Sequence, residues 1–200
     1  MKLVIASDLH GSATAMRALA DRIEEESPDR VALLGDLLYH GPRNDLPDGY
    51  APREVARMLN GLAGRIVAVR GNCDAEVDQM VLEFPCMADY ALLTDGSRTL
   101  FLTHGHVKGM TPDDLSGLPP ASAFLFGHTH VKRLVRTSVH AEGGAKPGAA
   151  DPADDGKKIV LANPGSVSLP KDGSASFAVY DDGRLALKTL AGENLSELDM

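Results

Sequence analysis

Val31-Ala32-Leu33-Leu34-Gly35-Asp36 is the stretch on which the fold turns. Four apolar residues in a row, cut off by Gly35, have the pattern of a parallel-sheet strand covered on both faces, and the run delivers a single carboxylate, Asp36, at its end. Moving outward, four other apolar runs finish in the same manner. Leu3-Val4-Ile5-Ala6-Ser7 leads into Asp8 and His10, Ile66-Val67-Ala68-Val69 into Gly71-Asn72, Leu100-Phe101-Leu102-Thr103 into His104, and Phe124-Leu125-Phe126 into Gly127-His128-Thr129-His130. Open α/β sheets bind ligands outside the carboxyl ends of their strands, so five endings that each present a metal-competent side chain point to one site.

The segments between these runs supply the layers. Gly11 permits a tight turn, and Ser12 is placed to cap a helix whose apolar positions Met16, Leu19, Ala20 and Ile23 recur at helical spacing. Glu24-Glu25-Glu26 reads as its solvated end, and Pro28-Asp29 as the break before the next strand. A long loop from Leu37 to Tyr50 follows, then a helix from about Pro52 with Val55, Leu59 and Leu62 on one face. With a strand over 65–69 this makes a β-α-β-α-β unit, which predicts parallel strands with right-handed crossovers.

Beyond Asn72 the segments shorten. Met87 to Leu93 and Arg98 to Thr103 flank Asp95-Gly96, a hairpin signal. Strands expected at 122–126, 131–136, 158–162, 175–180 and 184–190, the last pair joined by Asp181-Asp182-Gly183, complete a second, more antiparallel sheet. Two packed sheets with helices outside predict an α/β class fold, a four-layer α/β/β/α sandwich, in a single domain over 1–200. Residues 137–157, dominated by Gly, Ala, Pro and Asp, read as a mobile surface insertion.

With 44% apolar and 24% charged residues, the 200-residue chain has an ordinary globular composition and enough length for a sizeable core. A formal net charge of −8 argues against non-specific binding to nucleic acid or an anionic membrane, both of which call for basic patches. Two divalent cations would reduce that −8 to −4 and place the added charge where an anion would dock. Cys73 and Cys86 form no disulfide framework or zinc knuckle, and the first apolar run is too short for a signal-peptide core or a membrane span. A cytoplasmic, soluble protein is expected.

Asp8, His10, Asp36, Asn72, His104, His128 and His130 form the informative set. Mixed imidazole, carboxylate and amide-oxygen donors suit Mn, Fe, Zn or similar ions better than Ca or Mg. Seven donors exceed the needs of one ion and suffice for two that share a carboxylate, and Asp36, alone on its strand, is the natural bridge. Singly, an Asp after Gly35 or an Asn after Gly71 is an ordinary turn residue; jointly, in this order and all at strand ends, they are not. His104 is preferred to His106 as a ligand because it is nearer its strand end, and His40, His106 and His140 receive no metal role.

This arrangement resembles the calcineurin-like metallophosphoesterases, whose motifs D-x-H, G-D, G-N-H/D/C, H and G-H-x-H stand here as Asp8-Leu9-His10, Gly35-Asp36, Gly71-Asn72-Cys73, His104-Gly105-His106 and Gly127-His128-Thr129-His130. His40-Gly41-Pro42-Arg43-Asn44, Arg70-Gly71-Asn72-Cys73-Asp74 and Asn163-Pro164-Gly165-Ser166-Val167 further resemble the small bacterial phosphodiesterases of the YfcE type. The resemblance implies two divalent ions, often Mn, and hydrolysis of a small phosphodiester substrate by a bridging hydroxide. It assigns Asp8, His10 and His130 to one ion, Asn72, His104 and His128 to the other, and Asp36 to both, with Asp36, Asn72 and His104 at the chemical step. Arg43, Cys73 and His40 are the expected substrate contacts, Asn163-Pro164-Gly165 is read as a structural turn, and self-association is common in the family. Many relatives carry a histidine at Cys73 as proton donor; a thiol is a poor substitute, which leaves His40 or His106 as candidate donors and favours stable leaving groups. A retromer subunit of the same fold serves mainly in assembly, so a protein-binding scaffold with a vestigial site is the alternative.

Overall fold

The computed structural model describes residues 1–115, 122–139, 145–146 and 157–200. Two six-stranded sheets pack face to face. The first is ordered β12-β11-β10-β1-β2-β3, where β1 is Lys2–Ala6, β2 Arg30–Leu33, β3 Ile66–Ala68, β10 Ser176–Asp181, β11 Arg184–Thr189 and β12 Asn194–Asp199. The second is ordered β4-β5-β6-β9-β7-β8, where β4 is Tyr90–Asp95, β5 Arg98–Thr103, β6 Ala123–Leu125, β7 Arg133–Val139, β8 Ala145–Lys146 and β9 Lys157–Asn163. Each sheet contains a run of three parallel strands, β1-β2-β3 at one edge of the first and β5-β6-β9 inside the second.

The two-residue strand period divides the apolar runs between two cores. In β1 and β2, Val4, Ala6, Val31 and Leu33 face helices α1 (Ala13–Glu26) and α2 (Pro52–Asn60), against Met16, Leu19, Val55 and Leu59. Their alternates Leu3, Ile5, Ala32 and Leu34 face the second sheet, meeting Leu100, Leu102, Leu125 and Val160. On that sheet's outer face, Phe101, Phe124, Phe126, Ile159 and Leu161 are covered by Leu115 and Met110 from the turn-rich segment 105–115. The mixed α/β sandwich is therefore the expected class.

Ser12 caps α1 as predicted, its Oγ accepting from the Ala15 N–H at 3.1 Å, and the helix ends at Glu26, as expected, on a left-handed Ser27 just before Pro28. The Asp95-Gly96 hairpin forms, with its first strand shifted to begin at Tyr90. The assignment of 175–180 and 184–190 to the second sheet is corrected: β10 pairs antiparallel with β1, and the hairpin extends the first sheet. Tyr180 and Ala178 pack between the sheets while Phe177 and Val179 face the helices, so β10 is buried on both sides, which suits a position beside β1. A short helix α3 (Glu76–Val81) and the edge strand β12 were not anticipated.

The expected insertion over 137–157 is displaced at both ends, since β7 runs to Val139 and β9 starts at Lys157. Residues 145–146 pair with β7, and 140–144 and 147–156, His140 among them, lie outside the described residues. Among the described residues no helix is long and apolar enough to cross a membrane.

Candidate metal centre at the strand ends

Both parallel runs end at the same place, so loops from β1, β2, β3, β5 and β6 converge there. The glycines of the motifs are what let them approach. A Cβ on Gly71 would stand 2.1 Å from Asp36 Oδ1 and 2.3 Å from the Asp36 nitrogen, and one on Gly35 would stand 2.4 Å from the Gly71 nitrogen. Across the sheets, a Cβ on Gly127 would meet Ser7 Oγ at 1.9 Å. The β1 loop is laced to the β2 loop by backbone bonds from His10 N to Asp36 O (2.9 Å) and Gly11 N to Leu37 O (2.9 Å).

Seven non-glycine residues have positive φ among the described residues, and five of them are Asp8, His10, Asp36, His128 and His130. A left-handed conformation costs an L-residue roughly 1–2 kcal/mol, so concentrating it here marks backbone held against its preference in order to aim side chains.

Three histidines are oriented alike. Nδ1–H of His10 donates to the Tyr39 carbonyl (2.8 Å), that of His104 to Leu34 (2.6 Å) and that of His130 to Leu169 (2.7 Å). A carbonyl only accepts, so the proton sits on Nδ1 and each Nε2 is turned inward, the second-sphere arrangement that orients metal-binding imidazoles. His10 Nε2 and His130 Nε2 are 3.2 Å apart, and Asp8 Oδ1 lies 3.7 and 3.2 Å from them. Asp8 Oδ1 is buried with no hydrogen-bond donor, while Oδ2 accepts from the His128 N–H at 3.1 Å. Asp36 Oδ2 stands between the two groups, 3.7 Å from His10 Nε2 and 3.4 Å from His104 Nε2. Asn72 Oδ1 completes the mouth, 2.6 Å from His128 Nδ1 and 3.2 Å from His104 Nε2.

This donor set fits divalent cations. Ligand atoms of Asp8, His10 and His130 lie within 4.8 Å of one another, as do those of Asp8, Asp36 and His104, and the orphaned Asp8 oxygen needs a positive partner. Without one, protons take the role. Burial would drive Asp8 toward the neutral acid, yet the imidazoles of His10 and His130 beside it, and then His104, hold its carboxyl far below the usual range. Burial likewise disfavours charge on His104, but the hydrogen bond to Asp36 and the nearby carboxylates push it up to about 9. His10 is raised against its burial by Asp8. His106, packed edge-on against His104 at 5.2 Å, is pushed down to about 4 by burial and then by its histidine neighbours.

A polar cavity of about 360 Å³ opens onto the centre, lined by Asp36, Arg43, Asn72, Cys73, His128 and His130 among others. Of the expected substrate contacts, Arg43 and Cys73 both line this cavity. His40 does not line it; the ring is wedged edge-on between Tyr39 and Tyr50, at 4.7 and 5.3 Å. Burial, followed by the charge of Asp36, pushes the Cys73 thiol up to about 12, so it is a neutral group.

Four residues that matter here had no predicted role. Lys171 and Asn44 line the polar cavity. Asp74 is buried and accepts from the backbone N–H groups of Asp36 (2.8 Å), Leu37 (2.8 Å) and Gly71 (2.7 Å), clamping the β2 and β3 loops together. Ser168 Oγ donates to the Asp8 carbonyl at 2.9 Å alongside Ser166 Oγ at 2.8 Å. Asn163, expected in a structural turn, closes β9 and is structural: its Oδ1 accepts from the Gly165 N–H (2.9 Å), and its Nδ2 donates to the Gly127 carbonyl (2.8 Å) and Thr129 Oγ1 (3.0 Å), bracing the segment that carries His128 and His130.

Two face-to-face sheets with a buried His/Asp cluster at their shared strand ends define an α/β sandwich built around a metal-competent centre. Residues 1–182 match the model of the calcineurin-like phosphoesterase superfamily domain, and the chain belongs to that family. It is 39% identical to the phosphodiesterase YfcE of Escherichia coli (strain K12) over 196 residues, 98% of this chain and 95% of that protein. The solved structure of the E. coli protein, described as a phosphoesterase, superposes with a TM-score of 0.79 at 36% identity, covering 100% of this chain and 99% of that one. The probable metallophosphoesterase YsnB of Bacillus subtilis (strain 168) is 27% identical over 86% of this chain and 78% of its own length. Wild-type Vps29 of Entamoeba histolytica, complexed with Zn²⁺, shares the fold at 19% identity and a TM-score of 0.58, covering 100% of this chain and 99% of that one.

Proposed function

We propose that this protein is a metal-dependent phosphodiesterase with two divalent ions, manganese being the expected metal. Asp8, His10 and His130 would hold one, Asn72, His104 and His128 the other, and Asp36 both. The observation that carries the reading is the inward Nε2 of His10, His104 and His130 around the orphaned Asp8 oxygen, with Asp36 Oδ2 between the two groups. When bound, such ions make water nucleophilic at neutral pH and neutralise charge on phosphoryl oxygens.

The chain's own residues do the rest. Carbonyls of Tyr39, Leu34 and Leu169 fix the imidazole tautomers, and Asp74 fixes the backbone beneath Asp36. Arg43 and Lys171, in the polar cavity, offer positive charge to the diester anion. The activity of E. coli YfcE, as its name states it, supports a diester as substrate. The unpaired thiols of Cys73 and Cys86 suit a reducing cytoplasm.

The test is to strip the protein with chelator and titrate it with Mn, Zn, Ni and Mg while following cleavage of a 4-nitrophenyl phosphodiester. Turnover should return with a transition metal; silence with every metal would favour a scaffold role instead.

A further inference from the structure

A second cavity, of about 470 Å³, adjoins the metal centre and differs from the first in chemistry. Its walls include Leu38, Tyr39, Tyr50, Ala56, Val77 and Val81, with Arg53 and Asp78 the charged members and Cys73 belonging to both cavities. The Cys73 sulfur is within 4.8 Å of metal-competent atoms of His10 and Asp36, so this apolar space begins at the reacting centre. Tyr39 links them again, since its carbonyl holds His10 while its side chain, like Tyr50, packs on the ring of His40 beside the apolar wall.

The walls are unusual for a water-facing surface. Val77 is 61% exposed and Val81 50% exposed, both on α3, whose polar Asp78 is turned inward and occupied by the Ala75 N–H at 2.8 Å. A concave, apolar, preformed space of this size with few polar groups is what small organic ligands occupy.

We infer that this cavity is a subsite for one ester group of the substrate, which would therefore be an unsymmetrical phosphodiester with an aryl or branched-alkyl group on one side. The other ester group, facing Arg43, Asn44 and Lys171, would be polar or anionic. The inference deepens the phosphodiesterase reading and rests on it. Continuity with the centre through Cys73 favours a substrate group over a second protein surface, because a phosphodiester bound beside His10 and Asp36 would have this space within reach of one ester group.

The experiment compares binding of methylphosphonate, phenylphosphonate and 1-naphthylphosphonate to the Mn-loaded protein by calorimetry. Tyrosine emission gives a second readout, since the chain has 4 Tyr and no Trp and two of those tyrosines line the cavity. Each added apolar group in a fitted pocket is worth about 10-fold or more, so the aryl ligands should bind at least ~10-fold tighter than methylphosphonate and quench tyrosine emission. Val81→Asp should shrink that ratio several-fold, and Val77→Asp, at a more exposed position, does the same if Val81→Asp fails to fold. Equal affinity for methyl and aryl ligands would overturn the subsite. So would an unchanged ratio in both variants, including the case in which they split a dimer seen by sedimentation, which would assign the face to a second copy of this chain. An aryl preference without cleavage of any diester would defeat the phosphodiesterase reading, whereas robust cleavage with a flat ratio defeats only the subsite.

Discussion

His104 concentrates the electrostatics of the metal-free centre in one imidazole. It is buried, its Nδ1–H is committed to Leu34, and Asp36 keeps its second nitrogen protonated to about pH 9. A histidine raised in the folded state contributes stability that is fully present below its unfolded value of 6.5 and is lost as pH rises through about 9. Urea unfolding of the stripped protein should therefore show up to about 3 kcal/mol of weakening between those limits, and metal loading should flatten the profile because it replaces that proton. A stripped protein of constant stability over that range would contradict the assignment. His104 was legible as a site residue because it ends an apolar run. Asp74 was not: one aspartate after Asn72-Cys73 has no pattern of its own, and its three bonds to backbone N–H groups exist only once the β2 and β3 loops meet.

Among the elements, the strand ends depend on glycines that allow backbone contact. Gly71→Ala must displace Asp36, since the new methyl would overlap both its carboxylate and its nitrogen. Overpacking of this kind costs about 1–3 kcal/mol, and the displaced carboxylate should lower kcat more than 10-fold while KM changes little. Wild-type kinetics in a stably folded Gly71→Ala protein would show that the close approach is dispensable. The runs ending in Asp36, Asn72, His104 and His128 could be read directly because burial on both faces makes strands nearly all apolar. The β10-β11 hairpin was recognisable but its sheet was not, since Asp181-Asp182-Gly183 specifies the turn and says nothing about which neighbour β10 pairs with. Helix α3 left little signal: it has six residues, and Val77, Met80 and Val81 are exposed. In β12, all but one of the six residues are exposed or without an apolar face to bury, so no alternation marked it.

On the scale of the whole molecule, the two sheets matter because neither holds the centre alone: Asp8, Asp36 and Asn72 come from the first, His104, His128 and His130 from the second. The distant end of the second sheet should be separable from this. Val139 and Lys157 are already register partners in the β7-β9 pair, so a short turn can join them. Replacing 140–156 with such a turn should leave the metal-dependent rate within about 2-fold, given the cost of losing only the two-residue β8. Loss of activity in a folded, metal-loaded variant would give that segment a part in the site.

Most directly at stake is the proposed sharing of Asp36 between two ions. Metal content per chain and turnover should be measured side by side in wild type and Asp36→Asn. Two ions per wild-type chain are expected, with at least one lost in the variant and turnover reduced more than about 100-fold, beyond what removal of a second-sphere partner costs. A fully active wild-type protein holding one ion, or an Asp36→Asn protein that keeps both ions and its rate, would contradict the account.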